Sequence, residues 1–148
     1  MCVLSPGRHA GEDALGEVEG LLAAVGRTVR VPEEQQDVAT ALSGSGPAYL
    51  FLLAEAMVEA GVGLGLPRGT ATELVAATVE GAGTLLTSGT VGHPALLRES
   101  VTSPGGTTAA ALRVLESHGL RRALADAVSA ARDRSLALGE QYGNGRSS

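Results

Sequence analysis

Apolar positions near the start of the chain recur as Leu15, Val18, Leu22 and Val25, the i, i+3, i+7 and i+10 spacing of one helix face. This predicts a short amphipathic helix over Glu12 to Val25, closed by Gly26. The period then switches. Arg27-Thr28-Val29-Arg30-Val31 alternates polar and apolar, is β-branched and stops at Pro32, which predicts one strand. A single short strand needs a sheet to join. Nothing later in the chain offers one, so its partner is expected in protein that precedes Met1.

From Gln36 onward the period is helical. Pro47 suits the first turn of a helix whose stripe is Tyr49, Leu52, Leu53, Ala56, Met57 and Ala60, with Glu55 and Glu59 opposite. The glycine-rich run Gly61 to Pro67 stops it. A longer helix follows from Pro67 or Thr70, with Ala71, Leu74, Val75, Thr78, Val79, Ala82, Leu85 and Leu86 on one side. Ser88 to Gly92 reads as a loop, and Pro94 opens a short helix through Ser100. After a further loop, Thr108, Ala111, Leu112 and Leu115 share a face until Gly119, and a last helix carries Leu124, Ala127, Val128, Ala131, Ser135 and Leu138. The expected fold is all-α over residues 36–141, behind a helix–strand fragment over 1–35, with a polar, glycine-rich tail over 142–148.

Composition changes this picture in one respect. Apolar residues make up 44% of the 148, yet aromatics reach only 2%, so Ala, Leu, Val and Gly must fill the core. Small side chains bury little area each, and such a domain gains by covering its faces with a second copy. The formal charge of −5 lacks the basic face that nucleic acid requires. Arg121, Arg122, Arg132 and Arg134 are interleaved with Asp126 and Asp133, the pattern of a solvated helix face. Cys2 is the lone cysteine, expected at a mobile terminus, and His9, His93 and His118 lack metal-ligand spacing. No run reaches 18 uninterrupted apolar residues and no signal-like start is present, so neither a membrane span nor export is expected and the location is read as cytoplasmic.

The chemistry gathers at Ser103-Pro104-Gly105-Gly106-Thr107-Thr108, just before a helical pattern. Glycines let a backbone turn sharply and approach a ligand, and the first helical N–H groups that follow can hold a carboxylate. The plainer alternative is a capping loop with no ligand. A second segment, Ser43-Gly44-Ser45-Gly46-Pro47-Ala48-Tyr49, stands about sixty residues upstream. The spacing G-x-G-x-x-G does not occur: Gly61, Gly63 and Gly65 are followed by Leu66, and they come after a helix. A phosphate loop of the G-x-x-x-x-G-K type is excluded because the chain has no lysine. No residues for cofactor or metal binding are identified, and the chain alone is not expected to bind a nicotinamide nucleotide.

Taken together, Ser43–Tyr49, Gly61–Pro67, His93-Pro94 and Ser103–Thr108 resemble the C-terminal helical domain of pyrroline-5-carboxylate reductases. Ala39-Thr40-Ala41-Leu42, Glu55-Ala56-Met57 with Gly61-Val62, and Leu115-Glu116 with Gly119 and Arg121 fit the same pattern, in order, over about residues 5–140. The resemblance implies an enzyme that reduces the C=N bond of 1-pyrroline-5-carboxylate to L-proline with NADPH or NADH. It implies a homodimer or larger assembly with the active site at the helical interface. It makes Ser103, Gly105, Gly106 and Thr107 ligands of the substrate carboxylate, and Thr108 the catalytic residue at the ring nitrogen. For Ser43–Tyr49 a ligand-facing loop and a helix-packing hinge remain equal readings. His93 is read as a helix N-terminal contact and Glu99 as a surface residue.

Two departures accompany the resemblance. The loop Ser88–Gly92 is longer than the family's usual segment before His-Pro and lacks a carboxylate carried there by relatives. The nucleotide-binding strands and glycine fingerprint are absent, and Glu12–Val31 resembles the last elements of a Rossmann domain. The chain is therefore expected to be the dimerisation and substrate-binding part of such a reductase, inactive by itself. The alternative is a non-catalytic helical oligomerisation module derived from that family.

Overall fold

The computed structural model describes residues 1–89 and 92–143. They fall into two compact units: Met1–Pro47 with the chain from Leu124 onward, and Ala48–Ala123.

In the first unit, strand β1 (Cys2–Leu4) leads through helix α1 (Glu12–Leu22) to strand β2 (Thr28–Arg30). The strands pair in parallel, with Cys2 opposite Thr28, Val3 opposite Val29 and Leu4 opposite Arg30. The helical crossover is what a parallel pair requires. Two expectations are corrected here. The strand is not an orphan, because its partner lies within the chain, and Cys2 sits half-buried in β1 rather than at a free end. Three residues carry no alternation from which a strand can be read. Glu12 and Asp13 occupy the first turn of α1, where carboxylates suit the helix dipole. The helix ends three residues earlier than its apolar period predicts. Ala24 and Val25 bond back to Leu21 and Leu22 in the tighter turn that commonly finishes a helix. Arg30 donates to Glu19 through Nε and Nη2, both at 2.7 Å, tying β2 to α1.

A turn at Glu33–Gln35 enters α2 (Gln36–Ala39), which passes directly into a π-helical turn, Thr40–Gly44. Ser5 Oγ donates to Val31 O at 2.8 Å and accepts from Gln36 Nε2 at 2.7 Å, so one hydroxyl joins the end of the sheet to the first helix beyond it.

The second unit contains most of α3 (Gly46–Gly63), all of α4 (Arg68–Thr87), α5 (Pro94–Ser100) and α6 (Thr107–Ser117), and the start of α7 (Leu120–Gly143). Within it, Gly61 packs against Ala71: a Cβ on Gly61 would lie 3.4 Å from that of Ala71. Arg68 grips Glu59 with both terminal nitrogens, at 2.5 and 3.0 Å, across the same turn. Pro94 opens α5 as its sequence position predicts. Of the expected loop 88–92, residues 90 and 91 lie outside the described residues, as do residues 144–148 of the expected tail.

Only Leu15, Ala41, Ala71 and Val75 are buried among the described residues. On α3 the four consecutive residues Leu50, Phe51, Leu52 and Leu53 are all exposed, Phe51 at 72% and Leu52 at 67%. Four consecutive positions go once around a helix. No face of this turn is buried among the described residues, although a helix apolar all round belongs in an interior. The stretch Glu33–Gly63, with a mean hydropathy of 1.2 in its most apolar window, is long and apolar enough to cross a membrane by length and composition alone, a property that core helices of soluble proteins share. Counting only unbroken apolar residues overlooks it, because small and hydroxyl residues interrupt the run without making it polar.

Candidate functional site

The candidate loop lies wholly within the second unit, between α5 and α6. After Ser100 the backbone leaves helical geometry at Val101, with φ −104° and ψ 13°. Thr102 N–H donates to Glu99 O at 3.0 Å, and the Thr102 hydroxyl donates to Arg98 O. Pro104 cannot extend α5. Gly105 then adopts φ +70°, the left-handed region that a side chain disfavours. Gly106 N–H returns to Ser103 O at 3.1 Å and closes the turn.

Gly106 is the N-cap of α6, with φ −77° and ψ 177°, and having no side chain it supplies no cap. The first intrahelical bond runs from Ala110 N–H to Gly106 O at 3.1 Å. The N–H groups of Thr107, Thr108 and Ala109 precede it and receive no side-chain cap, and no acidic residue stands in the first turn. Ser103 folds against the same point: a Cβ on Gly106 would overlap the Ser103 hydroxyl and come within 3.2 Å of the Ser103 carbonyl oxygen. The arrangement presents a hydroxyl and a row of backbone donors at the positive end of a helix, and its chemistry is that of an anion acceptor.

Ser103, Gly105, Gly106, Thr107 and Thr108 therefore share one junction. Ser103, Gly105 and Thr107 are exposed, while Gly106 and Thr108 are half-buried. Beside it, α5 and α6 enclose an open cleft of about 430 Å³ lined by Arg98, Glu99, Thr102, Ala109, Leu112, Arg113 and Glu116. None of the five loop residues lines this cleft; Thr102 and Ala109 flank them and do. Sequence reading passed over Thr102, Arg98 and Arg113. Thr102 stands one position before the glycine motif, and the two arginines approach one cleft only because α5 and α6 meet there.

The other singled-out residues fall as follows. His93 caps α5, its Nδ1 accepting from Ala95 N–H at 3.1 Å. Glu99 is exposed, with Oε1 3.8 Å from Arg98 Nη2. Ser43 and Gly44 end the π-helical turn, a form often found where function distorts a helix. A Cβ on Gly44 would make ordinary contact with Thr40 at 3.5 Å, and one on Gly46 would meet nothing within 4 Å. Neither glycine is needed for packing among the described residues.

A nicotinamide nucleotide needs a strand–glycine turn–helix junction that accepts its pyrophosphate. The β1–α1 junction is the one of that kind among the described residues. Its N-cap is Gly11, but Glu12 and Asp13 fill the following turn, and their charges oppose a pyrophosphate. The residues present do not fit that group. No group of three metal-ligating side chains occurs among the described residues.

A family model described as pyrroline-5-carboxylate reductase dimerisation matches residues 33–138. Pyrroline-5-carboxylate reductase of Corynebacterium melassecola is 48% identical over 140 residues, covering 95% of this chain and 52% of the relative. That of Arabidopsis thaliana is 46% identical over 138 residues, covering 93% and 50%. Among solved structures, a pyrroline-5-carboxylate reductase from Coxiella burnetii matches with a TM-score of 0.84 at 42% identity, over 92% of this chain and 50% of that one. Plasmodium falciparum pyrroline carboxylate reductase with NADP bound matches with a TM-score of 0.78 at 32% identity, over 90% and 50%. The chain spans about half the length of the curated relatives it matches.

Proposed function

The chain belongs to the pyrroline-5-carboxylate reductase dimerisation family, and from that premise we propose that it is the dimerising, substrate-holding part of an enzyme that reduces 1-pyrroline-5-carboxylate to L-proline. The observation that carries the substrate role is the α6 N-terminus. Its uncapped N–H groups and the Ser103 hydroxyl fit a carboxylate, the one charged group that substrate and product share. Gly105 and Gly106 let the backbone reach it, Thr107 adds its N–H, and the Thr108 hydroxyl lies one residue further on to meet the ring nitrogen. The nucleotide, NADPH or NADH, is held by protein other than these residues, because the β1–α1 junction repels it. The chain alone is inactive in this reading.

A second copy covers the exposed apolar surface of α3. A protein partner fits this surface better than lipid, because Glu55 and Glu59 are exposed on the same helix and the matching family is one of dimerisation domains. The same reading makes the protein soluble and cytoplasmic, without a nucleic-acid partner. Arg121 and Arg132 already pair with Glu116 and Asp133.

The test is a titration of the assembled chain with L-proline, followed by amide NMR shifts. Saturable shifts centred on Gly105–Ala109, abolished in proline amide, are the expected result. Shifts spread over the surface, or none, would refute the carboxylate site and leave the oligomerisation module.

A further inference from the structure

Thr102 stands just ahead of the motif and is half-buried, whereas Ser103, Pro104 and Gly105 after it are exposed. Its N–H and its hydroxyl bond to two successive carbonyls near the end of α5, those of Glu99 and Arg98. Carbonyls in the last turn of a helix have no intrahelical N–H to meet, so these bonds satisfy groups that would otherwise rely on water. The same residue faces the cleft between α5 and α6 together with Ala109. Thr102 is thus the point where the end of α5, the cleft and the entry to the loop meet.

What needs holding is Ser103. Among the described residues its hydroxyl has no hydrogen-bond partner of its own, and only its carbonyl is engaged, by Gly106 N–H. Its placement over the α6 N-terminus depends on where the backbone enters the loop. Pro104 restrains the far side of that residue, and Thr102 restrains the near side.

We propose that Thr102 is a positioning residue of the carboxylate site, its hydroxyl anchoring the loop to α5 so that the Ser103 hydroxyl stays over the first turn of α6. This rests on the carboxylate reading above. The role asks for a hydroxyl, not for bulk, and this separates Thr102 from a packing residue.

The experiment compares wild type with T102V and T102S in the assembled chain, reading amide hydrogen exchange at Gly106 and the affinity for L-proline. Thr102→Val keeps shape and β-branching but loses the hydroxyl; Thr102→Ser keeps the hydroxyl. In T102V exchange at Gly106 rises and proline affinity falls, each by about tenfold at most, the size expected for one neutral hydrogen bond. In T102S both stay within about twofold of wild type. Thr102→Ala replaces the valine variant if that variant does not fold. Unchanged exchange and affinity in the hydroxyl-free variant overturn the inference while the carboxylate reading stands. A wild type that binds no L-proline overturns the carboxylate reading, and Thr102's role toward a ligand falls with it.

Discussion

Replacing Gly106 with Ala puts one methyl group where Ser103 already lies. The N-cap dihedrals of −77° and 177° are open to alanine, so the backbone itself is not strained. The added Cβ would overlap the Ser103 hydroxyl and press to 3.2 Å on the Ser103 carbonyl oxygen. The hydroxyl can escape by rotating, and the carbonyl must shift by a few tenths of an ångström, since such a contact is already tight. At an N-cap, alanine is worse than glycine by about 1 kcal/mol. The smaller conformational freedom of alanine in the unfolded chain returns about 0.4–1 kcal/mol. Net stability should therefore fall by less than about 1 kcal/mol. Binding loses more. A hydrogen bond to a charged group is worth about 1.5–3 kcal/mol, and rotation of Ser103 removes it. At 1.4 kcal/mol per decade that is roughly a 10- to 150-fold weaker Kd for L-proline. The assay pairs a proline titration with a urea unfolding curve on the same sample. Affinity unchanged by Gly106→Ala would refute the placement of Ser103 at the ligand. A loss of stability as large as the loss of binding free energy would make Gly106 a folding residue instead.

Four further outcomes are expected. Sedimentation at micromolar concentration gives a dimer or larger species, and F51E shifts it toward monomer by placing a charge on the exposed apolar turn of α3; a wild-type monomer refutes the covered face. Thr108→Ala, assayed with the nucleotide-binding domain present, lowers kcat while shifting stability by no more than about 0.5 kcal/mol, and unchanged turnover removes Thr108 from the site. Calorimetry with NADPH on the chain alone shows no saturable heat; a stoichiometric isotherm refutes the misfit at Glu12 and Asp13. The Arg68 guanidinium, chiefly by hydrogen bonding to Glu59, holds that carboxyl below its ordinary value. A depressed folded pKa contributes stability that is present above the unfolded value and is lost as pH falls through the folded one. The pair is exposed, so its effect on stability is small, and a carboxyl NMR titration showing Glu59 at or above the usual glutamate value refutes it.

Much of the local structure follows from neighbouring residues alone. Pro94 sets the first residue of α5, Pro67 precedes α4, and Gly119 separates α6 from α7, because these residues act on dihedrals within one or two positions. The loop Ser103–Thr108 was recognisable for the same reason. A left-handed glycine, an uncapped helix start and a preceding proline are all written in six consecutive letters. Its proposed role rests on likeness together with the uncapped start of α6, which the letters alone do not distinguish from a plain capping loop.

What the pattern did not reveal depends either on residues distant in sequence or on a hydrogen-bond register that the letters do not encode. The pairing of Cys2–Leu4 with Thr28–Arg30 joins segments more than twenty positions apart, and three residues show no period. The π-helical turn at Thr40–Gly44 keeps the apolar letters of an ordinary helix and changes only the hydrogen-bond register. Thr102 gained its place because α5 ends where the loop begins, so that a hydroxyl can reach back four residues to Arg98. Sequence by itself determined that the chain is helical beyond residue 36, where several of its helices start, and that a glycine loop precedes α6, since each arises from local dihedral and capping preferences. Tertiary structure decided which apolar stripes find cover. The period shows which residues of a helix share a face, but burial also needs a second surface, and among the described residues none covers Leu50–Leu53 of α3.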